Sequence, residues 1–485
     1  MDMMSSLLPE LADHPVAGLT ADSRKVQPGW LFVAVPGTKA DGMSFVPDAV
    51  ARGATAVVGE AERPADLPVG VAYAQVPDAR RALALAAARF HPAQPETVVA
   101  VTGTSGKSSV ADFARQLFAN NLGVRSASLG TLGVMTSDGL AYGSLTTPDP
   151  VTLHETLDRL AKDGVTHLAM EASSHGLDQH RLDGVRLAAA GFTNLGRDHL
   201  DYHPTVEAYL AAKLRLFDTL LDPGRPAVIN ADGAYADRVI AAAKARGHRV
   251  LTTGREGDFL RIVEWRHSGF SHDLVIEHAG AGGSDRVRAE LRLPGDFQVE
   301  NALLAVGLVL ASCPEADAQT LIQGMAKLSG VAGRMERVGE VGGALCIVDY
   351  AHKPEALAHV LDALRPFATG RLVCVFGCGG DRDRGKRPIM GAIAAEKADT
   401  VIVTDDNPRS EEPASIRAEI LKAAPGAREI GDRAEAIRTA VRGLGQGGVL
   451  VVAGKGHETG QIVGDRTLPF SDHEVIRQAI SERQS

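Results

Sequence analysis

Between residues 97 and 121 the chain passes from a continuous apolar run through a glycine-bounded loop into an amphipathic segment, and this order constrains the fold more than any other feature. Thr97-Val98-Val99-Ala100-Val101-Thr102 has no polar alternation, as expected of a strand buried on both faces of a parallel sheet. Lys107 to Asn121 reads as a helix, with Val110, Phe113, Ala114, Leu117 and Phe118 on one face and Gly123 past its end. The connecting residues Gly103, Thr104, Ser105, Gly106, Lys107, Ser108 and Ser109 lie at the positive end of the helix dipole. Their N–H groups can cradle phosphate oxygens there. Lys107 supplies a point charge to the β and γ phosphates of ATP, and Ser108 a hydroxyl for Mg²⁺. Val101 stands where the longer P-loop has its first glycine, so this is a shorter variant of that loop.

The same strand–helix alternation continues on both sides. Residues 1–90 carry short apolar runs, Trp30 to Val35 and Ala54 to Val58, and end at His91-Pro92-Ala93-Gln94-Pro95, a linker because both prolines resist helix and central strand. Alternation to about residue 330 predicts a doubly wound sheet. Leu372 to Phe376, Val401 to Thr404 and Val449 to Ala453 predict three more buried strands, each followed by a polar or glycine-rich loop of the kind that binds ligands at strand carboxyl ends. The expected class is α/β in three domains: a smaller N-terminal α/β domain (1–90), a central domain with a doubly wound sheet and the phosphate loop (91–331) and a C-terminal α/β domain (332–485). A chain of 485 residues is too long for one core and agrees with about three.

A formal charge of −9 without long runs of one sign argues against a nucleic-acid partner. No stretch approaches a membrane span, and the N-terminus lacks a basic region followed by an apolar run, so a cytoplasmic location is expected. Cys313, Cys346, Cys374 and Cys378 read as buried reduced thiols, since no second close pair completes a zinc site around Cys374 and Cys378.

Glu171 closes the apolar stretch from His167 and suits a hard cation that wants oxygen ligands. Asn194 to His203 packs polar groups around Leu200 and Tyr202. By spacing alone, Lys213 in the amphipathic run Tyr209 to Phe217 is a solvent-facing helix lysine.

The runs GTSGKSS (103–109), TTPDP (146–150), MEASSHGLDQHR (170–181), TNLGRDHLDYH (193–203), AAKLRLF (211–217), GRMERV (333–338), DYAHKP (349–354), FGCGGDRDRGKRP (376–388), TDDNPR (404–409) and AGKGHE (453–458) occur in the order found in the Mur ligases. The chain resembles that family from about residue 20 to its end, and within it the diaminopimelate-adding branch. The resemblance implies a UDP-substrate domain, an ATPase domain and a Rossmann-like domain. It also implies a two-step chemistry in which ATP phosphorylates a D-glutamyl carboxylate and an amine displaces the phosphate. It places the UDP-substrate near Ala21, Ser23, Thr38, Lys39 and Ala40, and its peptide arm near Thr146, Thr147, Ser173, Gln179 and Arg181. Glu171 matches a Mg²⁺ ligand and His199 the second metal position. Lys213 matches a lysine that is carbamylated in the family (N6-carboxylysine), which turns a repelled cation into an oxygen donor. A carbamate forms only on a neutral amine, so that site must lower the lysine pKa. Lys107, Glu171, His199 and Lys213 are the implied catalytic set. Asn301, Arg334, Asp349 and His352 match positions around ATP.

The resemblance places meso-diaminopimelate among Arg382, Asp406, Asn407, Pro408, Arg409, Gly454 and Glu458. Arg409 can hold the far carboxylate with a bidentate fork, and Asp406 and Glu458 can accept from the far ammonium. A monomer taking small-molecule substrates is expected. The sequence departs from the family pattern at Ser105 and Ser108, where asparagine and threonine are more usual, and at Lys353, where threonine is commoner. The alternatives are an L-lysine-adding Mur ligase, a folylpolyglutamate synthetase-like ligase and a nucleotide-gated scaffold without a chemical step.

Overall fold

The computed structural model describes residues 11, 14–37, 41–141, 143, 145–196, 198–199, 202–280 and 283–484. Thr38, Lys39 and Ala40 of the expected uridine pocket lie outside the described residues. The chain divides into two compact units: Met1–Ile262 with Glu277–Asp285 and Asn301–Leu321, and Val263–Ile276 with Arg286–Glu300 and Ile322–Ser485.

The first unit opens with four parallel strands, Gly18–Thr20, Trp30–Val33, Ala56–Gly59 and Ala72–Gln75, paired in chain order. The helix Ala79–Phe90 lays Ala79, Leu83, Ala86 and Ala87 on this sheet. The segment 91–95 is irregular, as its prolines require, but it is tied down. Ala93 N donates to Asp158 (3.1 Å), and the buried Gln94 side chain donates to Gly184 O and accepts from Arg186 N, both at 3.0 Å.

The strand Thr97–Thr102 forms over the residues its apolar run predicts. It lies between Ala189–Phe192 and His167–Glu171, both parallel to it. Ser126–Gly130 continues the sheet on one side, and Pro226–Asn230 and Arg249–Gly254 on the other. Helices cover one face through Leu153, Leu157, Leu160, Tyr209 and Leu210, packed on Val98, Ala100, Leu168 and Met170. The loops after residues 102, 171 and 192 therefore leave three adjacent strands at one carboxyl edge, the place where a doubly wound sheet binds its ligand.

One expectation fails. Strand–helix alternation does not run unbroken to residue 330, because Leu260–Ser268, Ser271–Gly280 and Gly283–Leu291 are three long successive strands. Arg261, Asp273 and Arg288 interrupt the buried residues of these strands at period two, so each strand keeps a solvated face.

In the second unit, Ala344–Asp349, Val449–Ala453, Leu372–Phe376, Thr400–Val403 and Arg428–Glu429 pair in parallel, with Glu336–Val341 antiparallel at one edge. Buried clusters on both faces, one with Leu357, Leu361, Met390 and Ile420 and the other with Ile437, Val441 and Ile476, make it a two-sided α/β sheet. All four cysteines are free and buried. No helix among the described residues is long and apolar enough to cross a membrane.

Candidate active site

The phosphate loop is held through its backbone. Gly106 has φ 87°, and a Cβ there would lie 2.3 Å from Asn301 Oδ1, so the helix Lys107–Leu122 can begin only at a glycine. Asn194 receives the loop: its carbonyl accepts from Thr104 N (2.9 Å) and its Oδ1 from Ser105 N (3.1 Å). Thr193 Oγ1 donates to Ser105 O at 2.6 Å. The bonds at position 105 are thus main-chain bonds, which explains why serine serves where asparagine is usual. Lys107 Nζ donates to Gly103 O and Thr104 O at 2.9 and 2.8 Å.

Ser108 Oγ donates to Glu171 Oε1 at 2.9 Å, so the two oxygen donors expected at the metal meet. Glu171 is buried and is also fixed by Thr131, whose N–H reaches Oε1 at 2.8 Å and whose hydroxyl reaches Oε2 at 3.3 Å. A side chain at position 130 would put its Cβ 2.0 Å from Glu171 Oε1, so glycine there leaves the carboxylate its room. Thr131 Oγ1 lies 3.1 Å from Thr146 Oγ1. Thr147 Oγ1 donates to Glu171 O at 3.1 Å and accepts from Ser173 N (3.1 Å) and Ser173 Oγ (3.0 Å). Arg181 donates to Thr147 O and to Gln179 Oε1, both at 2.7 Å. The residues expected along the peptide arm therefore form one network beside Glu171. Ala21 and Ser23 lie apart from it, at the turn after the strand Gly18–Thr20.

Lys213 corrects the expectation from spacing. It is 1% exposed, on the inner face of the helix Val206–Arg215. Its Nζ donates to Gly103 O at 2.7 Å and sits 4.3 Å from the centre of the Tyr209 ring. Burial first, and the nearby Lys107 charge second, lower its pKa to about 6 against the opposing pull of Asp198. His199 is exposed at φ 53°, with Nε2 3.6 Å from Asp198 Oδ2 and its ring 4.9 Å from that of His175. Among the described residues it bonds to neither Glu171 nor Lys213.

In the second unit, Asp349 is buried and accepts from Met335 N and Ala351 N, both at 2.7 Å. Burial pushes its pKa up against those two donors and Arg334. Arg334 lies over the Tyr350 ring at 5.1 Å, and His352 Nδ1 is 2.8 Å from Tyr350 O. Burial lowers the His352 pKa. Lys353 is the N-cap of the helix Pro354–Leu364 and makes no side-chain cap bond, so the capping that a threonine can supply is lost.

The residues expected to read the amine also gather in this unit. Arg409 sits at φ 52°, and one of its guanidinium nitrogens donates to Gly380 O at 2.8 Å. Asn407 Oδ1 accepts from Ile462 N (2.9 Å) and Lys455 Nζ (3.0 Å), while its Nδ2 donates to Glu458 Oε2 at 3.0 Å. Asp406 is buried, with Oδ2 against Gly454, where a Cβ would be 2.6 Å away. Arg382 is exposed and makes no ion pair or hydrogen bond among the described residues.

His267, His272 and Asp296 place one ligand-type atom each within 4.8 Å of the others. Trp265 Nε1 donates to His272 Nδ1 at 3.0 Å, which puts the His272 proton on Nε2 and leaves that imidazole no lone pair for a metal. His267 Nε2 bonds Asp296 at 2.7 Å.

Thr131, Asn194 and Lys455 were not singled out from the sequence. Thr131 follows the buried strand Ser126–Gly130, so the strand-end rule that singles out Glu171 applies to it equally. Asn194 and Lys455 lie inside the family motifs, but their partners are distant in sequence.

Three family models match along the chain: "Mur ligase family, catalytic domain" over residues 15–91, "Mur ligase middle domain" over 101–309 and "Mur ligase, glutamate ligase domain" over 333–456. The chain belongs to the Mur ligase family. It is an ATP-dependent, amide-bond-forming ligase. The Agrobacterium fabrum protein named UDP-N-acetylmuramoyl-L-alanyl-D-glutamate--2,6-diaminopimelate ligase is 57% identical over 482 residues, covering 99% of this chain and 96% of its own. The Rhizobium meliloti protein of the same name is 56% identical over 489 residues, covering 99% of each. A solved structure of an enzyme of that name aligns with TM-score 0.73 at 36% identity, over 97% of this Mur ligase and 96% of that chain.

Proposed function

We propose that this Mur ligase adds meso-2,6-diaminopimelate to UDP-N-acetylmuramoyl-L-alanyl-D-glutamate in peptidoglycan synthesis. A D-glutamyl carboxylate oxygen attacks the γ-phosphorus of ATP, giving an acyl phosphate and ADP. The neutral substrate amine then forms a C–N bond at the acyl carbon and gives up a proton, and phosphate leaves with the cleaved C–O bond. The convergence of the phosphate loop, Glu171 and a buried, readily neutral Lys213 carries the ligase part of this reading. Near-full-length likeness to enzymes named for diaminopimelate supports the substrate.

The main-chain donors of residues 103–109 receive phosphate oxygens, and each side chain has its own task. Lys107 and Ser108 meet the phosphates, and Thr147, Ser173, Gln179 and Arg181 orient the peptide arm. Ser108, Glu171, His199 and carbamylated Lys213 would hold Mg²⁺, which neutralises charge on the transferring phosphoryl group. Buried Glu171 with its hydroxyl partner, and a lysine lowered to about 6, fit that hard cation. Asn301, Arg334, Asp349 and His352 serve ATP. Arg409 and Arg382 take the far carboxylate of the amine, and Asp406 and Glu458 its ammonium. The three domains 1–90, 91–331 and 332–485 belong to the same proposal.

The test is phosphate release with the UDP-dipeptide, ATP and a panel of amines. Meso-diaminopimelate should exceed L-lysine by roughly a hundredfold in kcat/KM, because lysine leaves the arginines unpaired. Equal values for the two amines overturn the amine assignment, and no amine-dependent release overturns the whole reading.

A further inference from the structure

Lys455 is 0% exposed, yet no carboxylate is buried with it as a closed pair. Its Nζ donates to Asn407 Oδ1 and to Glu458 Oε2, each at 3.0 Å. Asn407 Nδ2 donates to that same Glu458 oxygen. The three side chains thus close a triangle, anchored to the main chain where Ile462 N donates to Asn407 Oδ1. We propose that Lys455 is a positioning residue for the amine: it fixes the Asn407 amide and holds Glu458 as an oriented anion able to receive the substrate's ammonium.

Without that lysine, Glu458 loses its cation and Asn407 loses one of the two donors that hold its oxygen. An amide can present either end, and the Lys455 and Ile462 donors hold its oxygen inward, with its NH₂ towards Glu458. Asp406 and Glu458 repel one another, and burial already favours the neutral form of Asp406. Arg433 first and Lys455 second oppose that shift, while Glu458 and Asp472 reinforce it. Arg433 also acts electrostatically on both acids, but its hydrogen bonds go to Asp472, at 2.7 and 2.8 Å, and to Ala453 O, whereas Lys455 bonds Glu458 directly. A burial this complete is costly for a lysine serving stability alone, since an apolar side chain of equal volume would pack as well.

This proposal depends on the diaminopimelate reading, and the experiment separates the two. Lys455→Met keeps the volume and removes the charge and donors. Steady-state phosphate release on the full chain should show KM for meso-diaminopimelate raised about tenfold or more, the scale of losing charge-assisted hydrogen bonds, with KM for ATP and for the UDP-dipeptide unchanged. Lys455→Gln, which retains a donor without the charge, should fall between wild type and Lys455→Met. The acid limb of the amine KM profile should move to higher pH in Lys455→Met. An unchanged amine KM, or an equal worsening of all three KM values together with a lowered melting temperature in both variants, overturns the positioning role. Wild-type protein that fails to ligate meso-diaminopimelate but ligates another amine overturns the substrate reading instead.

Discussion

Lys107 and Lys213 direct their ammonium nitrogens at the same acceptor, the carbonyl oxygen of Gly103, at 2.9 and 2.7 Å. Lys107 comes from the helix that the phosphate loop starts, and Lys213 from the helix Val206–Arg215, buried beneath that loop. Two cations on one oxygen repel, and the more buried one gives way. Burial first, and this repulsion second, lower the Lys213 pKa to about 6, which leaves the amine largely neutral near pH 7.

A neutral amine reacts with CO₂, so activity should depend on Lys213 as a carbamate. Lys213→Ala should lose most turnover and regain part of it with added short-chain carboxylates, which replace the carbamate oxygen at the proposed Mg²⁺ site. Full turnover of the alanine variant without supplement would show that the amine has no part in the reaction.

The same shift acts on stability. The folded pKa of about 6 lies below the unfolded value of 10.5, so between these values the unfolded chain binds more protons and stability rises with pH. Lys213→Met should therefore be less pH-dependent over that window than wild type. Denaturant melts in CO₂-depleted buffer at pH 6, 8 and 10 measure the difference, and parallel curves for the two proteins would contradict a lysine buried at the cost of its charge.

Thr131 should matter to metal affinity rather than to folding. Thr131→Val removes the hydroxyl bond to Glu171 Oε2 and leaves the N–H bond to Oε1. The Mg²⁺ concentration for half-maximal activity should rise about tenfold, the lower end for loss of a ligand's supporting bond. A titration that superimposes on wild type rules out this support.

Lys107→Ala separates a ligase from a scaffold. Its loss should lower kcat by roughly a hundredfold or more at saturating ATP, because the charge stabilises the transferring phosphoryl group. Folding should survive, since the hydrogen bonds to Gly103 O and Thr104 O stay within the loop itself. Wild-type turnover in this variant would place the phosphate site in another loop.

Local sequence determined much of this protein. The apolar run Thr97–Thr102, the loop glycines and the apolar face of Lys107–Leu122 fix a strand, a turn and a helix by short-range sterics and burial alone. Leu372–Phe376 and Val449–Ala453 form over the residues their runs predict for the same reason. The three long strands from Leu260 to Leu291 escape that logic, because the strand–helix rhythm of the preceding residues carries no information about where the rhythm stops. Only tertiary structure decided Lys213: helical spacing puts it on a solvent face, whereas packing of Tyr209 and Leu210 against the central sheet turns it inward, 110 residues along the chain from its acceptor. Lys455 is the same kind of case, 48 residues from Asn407. Charge, burial and hydrogen-bond partners at such positions are set by which strands lie side by side, and that is a property of the sheet order rather than of any local run.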